Sequence, residues 1–288
     1  MITVVLPVRD GLPWLDAQLA ALAAQVCDEP WEVVVADNGS SDASVTLARQ
    51  WSERCGAIRL LDASVRPGPS AARNAGVRSA RGELLAFCDA DDVVQPGWLN
   101  ACVAALGEAD VVAGEFDFFS LNDRTTPAAA FPDDELGATG PAATSQLGFL
   151  PAGLAANLAV RRVAFDAVGG FDEEMTVGED IDLCWRLQLE GYRFVTAPDA
   201  LVAKRERPAL GPLFRRALTY GRCGPSLYRR YRDRGARRDL AGAARSWLWL
   251  VVSVPRLGRR DARRLWVRAA GVRLGRLAGS VAARTFFP

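Results

Sequence analysis

The sequence predicts an α/β fold in which helices flank a mostly parallel sheet, followed by an Arg-rich helical region. Three observations lead to this prediction. In the first hundred residues, short runs rich in Val, Ile and Leu alternate with segments of helical periodicity. Half of the 288 residues are hydrophobic and 24% are charged, a composition that suits a packed core. Beyond residue 205, arginine dominates the charged positions.

The strands and helices follow in chain order from these patterns. Strands are predicted where apolar runs are bounded by turn residues, over residues 2–6, 31–36, 58–61, 84–88, 110–119, 154–160 and 193–197. Helices are predicted where apolar residues recur every three or four positions, over residues 12–24, 42–55, 70–79, 96–106 and 179–190. Asp42 is expected to cap the second helix. Ligands of such a sheet bind beyond the carboxyl ends of its strands, so the polar residues there are candidates for a site.

Charge is distributed unevenly along the chain. Residues 1–203 hold 13 arginines and 30 acids, a net charge of −17, whereas residues 204–288 hold 21 arginines and one lysine against four acids, a net charge of +18. A basic region of this kind is typical of segments that meet an anionic membrane or nucleic acid. The alternative is that it packs against the acidic body of the protein or on a second copy of the chain.

Other features of the sequence narrow the class of protein. Met1 leads directly into an apolar strand pattern without signal-peptide architecture, which predicts a cytoplasmic protein with reduced thiols. The chain has no histidine, so a Cys/His zinc site is excluded. In the basic region, residues 246–254 are apolar but too few to span a bilayer, and residues 263–284 show the amphipathic pattern of interfacial helices.

Acidic residues follow two of the predicted strands. Asp89, Asp91 and Asp92 come directly after strand 84–88, and hard oxygen ligands grouped on one turn suit Mg²⁺ or Mn²⁺, which also bridges diphosphate oxygens. Acidic turns of this kind also occur without a ligand. Asp37 follows strand 31–36, where it could accept a hydrogen bond from a base or ribose, although a simple turn explains it equally well.

Two further charged motifs lie on predicted helices. Arg73, on helix 70–79, could bind the anionic oxygens of a diphosphate through its planar guanidinium; without a ligand it is an ordinary solvated residue. Glu179, Asp180 and Asp182 open helix 179–190. Acids stabilise helix N-termini, which accounts for them without any reaction. The catalytic interpretation makes one of them a general base that takes a proton from an attacking hydroxyl.

Taken in the order in which they occur along the chain, these motifs resemble glycosyltransferase family 2, whose members transfer sugars from nucleotide donors. Each motif is weak alone, but the ordered set is specific. The resemblance covers residues 1–205 and rests on residues 36–42, 72–76, 89–92, 157–162, 169–173 and 179–183. It implies the GT-A fold and inversion at the anomeric carbon. It also implies a catalytic domain over 1–205, with a nucleotide-sugar half (1–119) and an acceptor half (120–205), and a basic helical tail over 206–288.

The resemblance also implies a role for each matching residue. The metal, Mg²⁺ or Mn²⁺, would be held by Asp91 together with Asp89, which would also contact the ribose. Asp180 would be the catalytic base, and Glu179 beside it would contact the acceptor or the sugar. The residues expected to bind the donor are Pro7, Val8, Arg9, Asp37, Asn38, Arg73, Asp89, Asp91, Asn157 and Lys204.

Two positions depart from the family's pattern. The first loop is Pro7-Val8-Arg9-Asp10, without the usual aromatic residue and asparagine, so Arg9 becomes a candidate to stack on the base or to reach the phosphates. Lys204 lies where many members have a metal-binding histidine. A protonated lysine has no lone pair to offer a metal, so Lys204 is a candidate for a fixed cation that neutralises the diphosphate directly.

The sequence therefore predicts an inverting, metal-assisted transferase of hexosyl or deoxyhexosyl groups. The acceptor hydroxyl is unidentified and expected to be lipid-linked or close to a membrane. Expected partners are the donor, this acceptor, an anionic membrane surface on the cytoplasmic side and a second copy of the chain; nucleic acid is not expected. Alternatives are a nucleotidyltransferase, which releases pyrophosphate, a retaining transferase, and a degenerate fold acting as a membrane or partner adaptor. The retained carboxylates argue against the adaptor.

Overall fold

The computed structural model describes residues 1–122, 146–206 and 209–288. They form two compact units. The first comprises Met1–Leu121 and Pro151–Arg205, and the second consists mainly of residues 209–288. Most of the loop expected over 120–150 lies outside the described residues, and the functional division of the chain into a catalytic domain and a tail stays a prediction.

The first unit is built on one mixed sheet. Among the described residues the sheet has eight strands: β1 (Ile2–Val8), β2 (Trp31–Asp37), β3 (Ile58–Asp62), β4 (Leu84–Cys88), β5 (Val93–Val94), β6 (Val111–Asp117), β7 (Asn157–Arg161) and β8 (Phe194–Ala203). Their order is β3-β2-β1-β4-β7-β6-β8-β5. The first four are parallel to one another, β7 runs antiparallel to both β4 and β6, and β8 is parallel to β6.

Six helices accompany these strands in the part of the first unit that the structure describes. They are α1 (Leu15–Ala23), α2 (Ser44–Arg54), α3 (Pro69–Ser79), α4 (Trp98–Leu106), α5 (Arg162–Ala167) and α6 (Glu179–Leu189). The central strands are buried on both faces, which is why they appear in the sequence as continuous apolar runs. Helix α3 approaches β1 closely because residue 76 is glycine: a Cβ there would lie 2.4 Å from Val5 Cγ1.

The predicted elements of this unit are largely found, with differences in three strands and two helices. Strand β7 begins at Asn157 rather than 154, and β8 continues to Ala203 because its second half pairs with both β6 and β5. Strand β5 and helix α5 were not predicted, since each is too short to show a period. Helix α2 has Ala43 as its N-cap, and Asp42 instead accepts hydrogen bonds from the backbone N–H groups of Ser44 (2.9 Å) and Leu12 (3.2 Å).

The second unit is helical, as the basic region of the sequence predicts. Four α-helices are found in its described residues: α7 (Leu210–Gly221), α8 (Cys223–Tyr231), α9 (Leu240–Val252) and α10 (Arg260–Ala282). No helix in the described ranges combines the length and the hydropathy that crossing a bilayer requires.

Helices α7 and α10 contact each other through their backbones. A Cβ on Gly275 would lie 2.2 Å from the carbonyl oxygen of Leu218, and a Cβ on Gly221 would lie 2.2 Å from that of Val272. On Gly271 it would meet the Cβ of Ala217 at 2.7 Å. Only glycine allows the two helices to approach this closely.

The packed face of α10 differs from the predicted apolar stripe. Two of its arginines are buried, Arg273 and Arg276, and Arg273 donates a hydrogen bond to Ser246 Oγ on α9 at 2.8 Å. Two apolar residues of the amphipathic pattern predicted over residues 263–284 are exposed instead: Leu277 at 39% and Val281 at 81%. The close glycine contact selects which face of α10 is buried, and hydrophobicity alone does not predict that choice.

Candidate active site

The loops that follow β1 and β2 are tied together at the carboxyl edge of the sheet. Asp10 Oδ1 accepts hydrogen bonds from the backbone N–H of Ser41 (2.7 Å) and Asp42 (3.2 Å), and the N–H of Gly11 donates to Ser44 Oγ at 2.8 Å. These bonds lower the pKa of the Asp10 carboxyl, with the Ser41 N–H as the main cause. These hydrogen bonds therefore hold the two loops together beside Asp37.

Asp37, the last residue of β2, has a buried carboxylate of which one oxygen is satisfied. Its Oδ2 accepts hydrogen bonds from the N–H groups of Gly39 (3.1 Å) and Ser40 (3.3 Å). Its Oδ1 is buried and has no hydrogen-bond partner among the described residues. Leaving a buried acceptor unsatisfied costs about 1–3 kcal/mol, so this oxygen is suited to a donor group supplied by a ligand.

The neighbouring residues expected to bind the donor are placed differently from one another. The side-chain amide of Asn38 donates to the carbonyls of Ala63 (2.6 Å) and Arg66 (2.9 Å) and accepts from the N–H of Gly68 (2.7 Å), so it holds the loop before α3. Val8 is buried in the core, whereas Pro7 is partly exposed and Arg9 is exposed.

The acidic cluster lies where β4 ends, next to β1. Ligand oxygens of Asp89, Asp91 and Asp92 all lie within 4.8 Å of one another. The turn is held from α1 by Gln18, whose side chain donates to the Asp89 carbonyl (3.0 Å) and accepts from the N–H of Val94 (3.0 Å). The metal predicted from the sequence therefore has a compact set of oxygen atoms available.

Lys204 lies within this cluster. Its Nζ is 2.6 Å from Asp92 Oδ2 and 3.5 Å from Asp89 Oδ2. Asp92 is fully buried and also accepts a hydrogen bond from the backbone N–H of Arg205 at 3.0 Å. Burial raises the pKa of Asp92 to about 6, and the Lys204 ammonium acts against that rise. Asp92 thus binds the protein's own cation, which leaves Asp89 and Asp91 as the carboxylates suited to a metal.

Arg73 connects this cluster with the start of α6. Its two terminal nitrogens donate to Asp89 Oδ1 and to Glu179 Oε1, each at 3.0 Å. The guanidinium is buried against the Phe171 ring, 5.5 Å from its centroid. Its Nε is buried and has no hydrogen-bond partner in the described part of the chain, as is also true of Ser70 Oγ on the same helix.

The start of α6 is fixed by side chains on both sides. Asn74, next to Arg73, donates to the carbonyl of Phe171 and to Glu173 Oε1, both at 2.9 Å. Asp182 is fully buried and accepts from Arg186 Nε at 2.7 Å, and the same arginine donates to the carbonyl of Gly170 at 2.7 Å. Asp182 is therefore structural and leaves Glu179 and Asp180 as the acids that face the site.

Two backbone hydrogen bonds orient the Asp180 carboxyl group, and its pKa is raised. Its Oδ2 accepts a hydrogen bond from the N–H of Ala155 (3.1 Å) and its Oδ1 from the N–H of Ile181 (2.9 Å). Burial, and next the charge of Glu179, raise the pKa of Asp180 to about 7, although Arg73 and these two hydrogen bonds oppose the rise. A carboxyl group with a pKa near neutrality can accept a proton during a reaction at physiological pH.

Asn157, which was expected to bind the donor, is engaged by the protein itself. Its side chain is buried inside the sheet, donating to the carbonyls of Glu115 and Ala200, both at 2.8 Å, and accepting from the Trp98 indole at 2.8 Å. These contacts lie at the irregularity between β6 and β8, where the register shifts after Gly114. Asn157 stabilises that irregularity and has no polar group left for a ligand.

Several supporting residues were not predicted. Gln18 orients the acidic turn, Asn74 holds the segment that precedes α6, and Asp92 pairs with Lys204. The sequence signal for Gln18 is a polar residue next to the apolar positions of its helix, and the structure shows that this glutamine is fully buried. Pairings across more than a hundred residues, such as Asp92 with Lys204, have no local signal.

The arrangement brings together groups for binding and for proton transfer. The carboxyl ends of β1, β2 and β4 supply an unsatisfied carboxylate oxygen and a cluster of oxygen ligands. The N-terminus of α6 supplies a carboxylate with a pKa near 7. Such a site can hold a polar, charged ligand along the sheet edge and deprotonate a second molecule.

Comparisons with known proteins show the family to which the chain belongs. Residues 3–167 match the model of the family described as glycosyl transferase family 2. The pre-mycofactocin glycosyltransferase of Mycobacterium tuberculosis H37Rv is 30% identical over 259 residues, which cover 88% of this chain and 53% of that protein. Glycosyltransferase AglE of Haloferax volcanii is 28% identical, over 77% of this chain and 72% of that protein. The chain thus spans about half the length of the mycobacterial relative.

A solved structure shows the same fold at low sequence identity. It is the mannosyltransferase PcManGT of Pyrobaculum calidifontis in complex with GDP-Man and Mn²⁺, with a TM-score of 0.66 and 19% identity over 96% of this chain and 86% of that one. The mixed α/β sheet with its flanking helices is the GT-A fold that the sequence predicts. The chain belongs to glycosyltransferase family 2.

Proposed function

We propose that the protein transfers a sugar from a nucleoside diphosphate to an acceptor hydroxyl, with inversion at the anomeric carbon. The observation that carries this proposal is the unsatisfied, buried Asp37 Oδ1 on the same sheet edge as the acidic cluster. Strand β1 separates β2 from β4, so Asp37 and Asp89 are about 10 Å apart at ordinary strand spacing. A nucleoside can bridge such a gap with its base at Asp37 and its diphosphate at the cluster.

The donor set at the cluster fits a divalent metal. Asp89 and Asp91 would hold the ion, because carboxylate oxygens are the ligands that Mg²⁺ and Mn²⁺ prefer. When bound, the ion would neutralise charge on the diphosphate. The PcManGT complex, which contains GDP-Man and Mn²⁺, supports a nucleotide sugar and a divalent ion as the ligands of this fold.

The chain's own residues account for the transfer. The acceptor hydroxyl attacks the anomeric carbon as its proton passes to Asp180, and the bond from that carbon to the diphosphate oxygen breaks with its electron pair on the leaving group. The Lys204 ammonium, held at the cluster by Asp92, stabilises the negative charge that develops there. Because base and leaving group lie on opposite faces of the sugar, a single displacement inverts the anomeric centre, as in inverting glycosidases.

The donor roles are assigned as follows. Asp37 binds the base through Oδ1, and Pro7 and Arg9 line the base on the edge of β1. Asn38 supports the loop before α3 with its side chain and contributes to donor binding only through that loop. The alternatives of nucleotidyl transfer and of a retaining reaction differ from this proposal in their products, pyrophosphate and the opposite anomer.

The test is a screen of nucleotide sugars for binding and for slow hydrolysis, with Mn²⁺ and without it. We expect at least one UDP-, GDP- or dTDP-linked sugar to bind and to release the nucleoside diphosphate. Asp37→Asn, which replaces one acceptor oxygen by a donor, is expected to weaken that binding by about tenfold or more, the scale of one lost hydrogen bond to a charged group. Release of pyrophosphate, or no binding by any donor, would contradict the proposal.

We further propose that α9 and the residues after it bind an anionic membrane surface, which places the acceptor in or near that membrane. Between residues 248 and 254, five large apolar side chains are at least 37% exposed: Leu248, Trp249, Val251, Val252 and Val254. Exposed arginines flank them, among them Arg245, Arg256 and Arg259. Exposed apolar side chains beside a basic rim suit the boundary of an anionic leaflet, where each arginine adds about 1 kcal/mol.

Liposome flotation tests this surface. The full chain is expected to float with vesicles that contain anionic lipid at low salt, and to remain in the soluble fraction with neutral vesicles. Replacing Val251 and Val252 by Ser should abolish flotation, whereas the same change at Val163, which is 68% exposed on α5, is the matched control. A full chain that stays soluble with anionic vesicles would instead favour a second copy of the chain or another protein as the partner of α9.

A further inference from the structure

Arg73 is placed to hold two carboxylates that belong to different motifs. One terminal nitrogen lies 3.0 Å from Asp89 at the end of β4, and the other lies 3.0 Å from Glu179 at the start of α6. The guanidinium is planar and rigid, so engaging both nitrogens fixes the two carboxylates relative to each other. Only 5% of the residue is exposed, so the ion pairs are weakly screened by solvent.

This contact also affects the carboxylate beside Glu179. Glu179 and Asp180 are adjacent, and after burial the negative charge of Glu179 is the main factor that disfavours ionisation of Asp180. The charge of Glu179 raises the pKa of Asp180, and the charge of Arg73 lowers it. Among the other ionisable groups nearby, Cys184 follows one turn along α6, and Asp182 is paired with Arg186.

We propose that Arg73 is a positioning residue that neutralises Glu179, so that Asp180 can ionise, and that holds the start of α6 at a fixed place relative to Asp89. The inference rests on the proposed function, in which Asp180 is the base. It differs from the direct diphosphate contact that the family resemblance implies for Arg73, because both terminal nitrogens are engaged by carboxylates.

A cycle of charge-removing variants tests whether the charges of Arg73 and Glu179 control the ionisation of Asp180. Glu179→Gln removes the like charge and is expected to lower the titration midpoint of Asp180 by about one pH unit, and Arg73→Met is expected to raise it by a similar amount. The double variant should return the midpoint towards that of the unchanged protein. Arg78→Met is the matched control on the same helix, because the Arg78 side chain is 69% exposed, and it should leave the midpoint where it was.

Two measurements report the midpoint of the Asp180 titration. One is the carboxyl ¹³C shift of Asp180 in protein labelled at aspartate, with Asp180→Asn identifying the signal. The other is the acidic limb of the pH–rate profile of sugar transfer or donor hydrolysis. Opposite shifts in the two single variants, and partial cancellation in the double variant, support the proposal. A residue that only maintains the fold would lower activity without moving the midpoint in opposite directions.

The outcomes that overturn the proposal are equally specific. Midpoints that do not move, or that move in the same direction in Glu179→Gln and Arg73→Met, contradict it. Should Arg73→Met fail to fold, Glu179→Gln decides alone, and a midpoint that does not fall overturns the coupling. The NMR titration requires no turnover, so it tests the role of Arg73 even if no nucleotide sugar binds. The absence of any donor binding would remove the proposed function but not this test.

Discussion

Replacing Asp180 by Asn is expected to lower the rate of sugar transfer by about 100-fold or more and to leave donor binding nearly unchanged. The amide cannot accept the acceptor's proton, but it keeps the size of the carboxyl group and an oxygen for the N–H of Ala155. Transfer rates and donor dissociation constants, measured side by side, check both parts. Glu190→Gln, at the exposed end of α6, is the matched control and should change neither quantity.

The pH dependence of transfer in the unchanged protein follows from the ionisation of Asp180. Its pKa is about 7 in the folded protein against an ordinary value of 3.8, so transfer should rise with pH through about 7. The same shift means that folding takes up a proton between those two values, so stability contributed by the protonated carboxyl is lost as pH rises through 7. At pH 8, Asp180→Asn should therefore unfold at a temperature no lower than the unchanged protein. Equal loss of donor binding, or of stability, would make Asp180 a donor-site or structural residue.

Replacing Asp91 by Asn is expected to abolish metal-dependent binding of the nucleoside diphosphate and most turnover. Asp92 is paired with Lys204, and Asp89, the other proposed metal ligand, also contacts Arg73, so removing the Asp91 charge leaves the cluster with two carboxylates and two protein cations. Mn²⁺ binding followed by electron paramagnetic resonance, and nucleotide binding by calorimetry, measure the loss directly. Asp199→Asn, an exposed acid of β8, is the control. Unchanged donor affinity and rate in Asp91→Asn would remove the metal assignment.

The same measurements separate the contribution of Lys204 from that of the metal. Since its ammonium already lies among the acids, part of the donor binding should survive chelation by EDTA. Lys204→Ala should make binding depend more strongly on Mn²⁺, because the fixed cation is then absent. Complete and equal loss of binding with EDTA in both proteins would show that Lys204 does not serve in this way.

The sheet was predictable because its central strands are buried on both faces. Each therefore appears as an unbroken apolar run, and the end of each run marks where a polar ligand can approach. Asp37 and the Asp89–Asp92 turn were found by this reasoning alone. Strand β5 and helix α5 were not, since two and six residues are too few to show a period.

The internal pairings of the site were not predictable. Arg73 and Glu179 are 106 positions apart, so the sequence shows an arginine and a carboxylate but not that they meet. Asn157 is a different case: its position in a family motif suggested a ligand contact, whereas the structure places it, buried, at the register shift after Gly114. Such roles depend on how the edges of β6, β7 and β8 fit together, which no local pattern encodes.

The backbone contact between α7 and α10 has a consequence for how the second unit can assemble. Where Gly221 meets Gly275 no side chain separates the helices, and the residues next to each glycine are bulkier. Sliding α10 by one position would bring Leu274 or Arg276 against α7, where there is no room for a Cβ. A slide by one position is therefore excluded. The glycines at 271, 275 and 279 recur every four residues, so this spacing, together with the connecting segment, determines which residues of the two helices face each other.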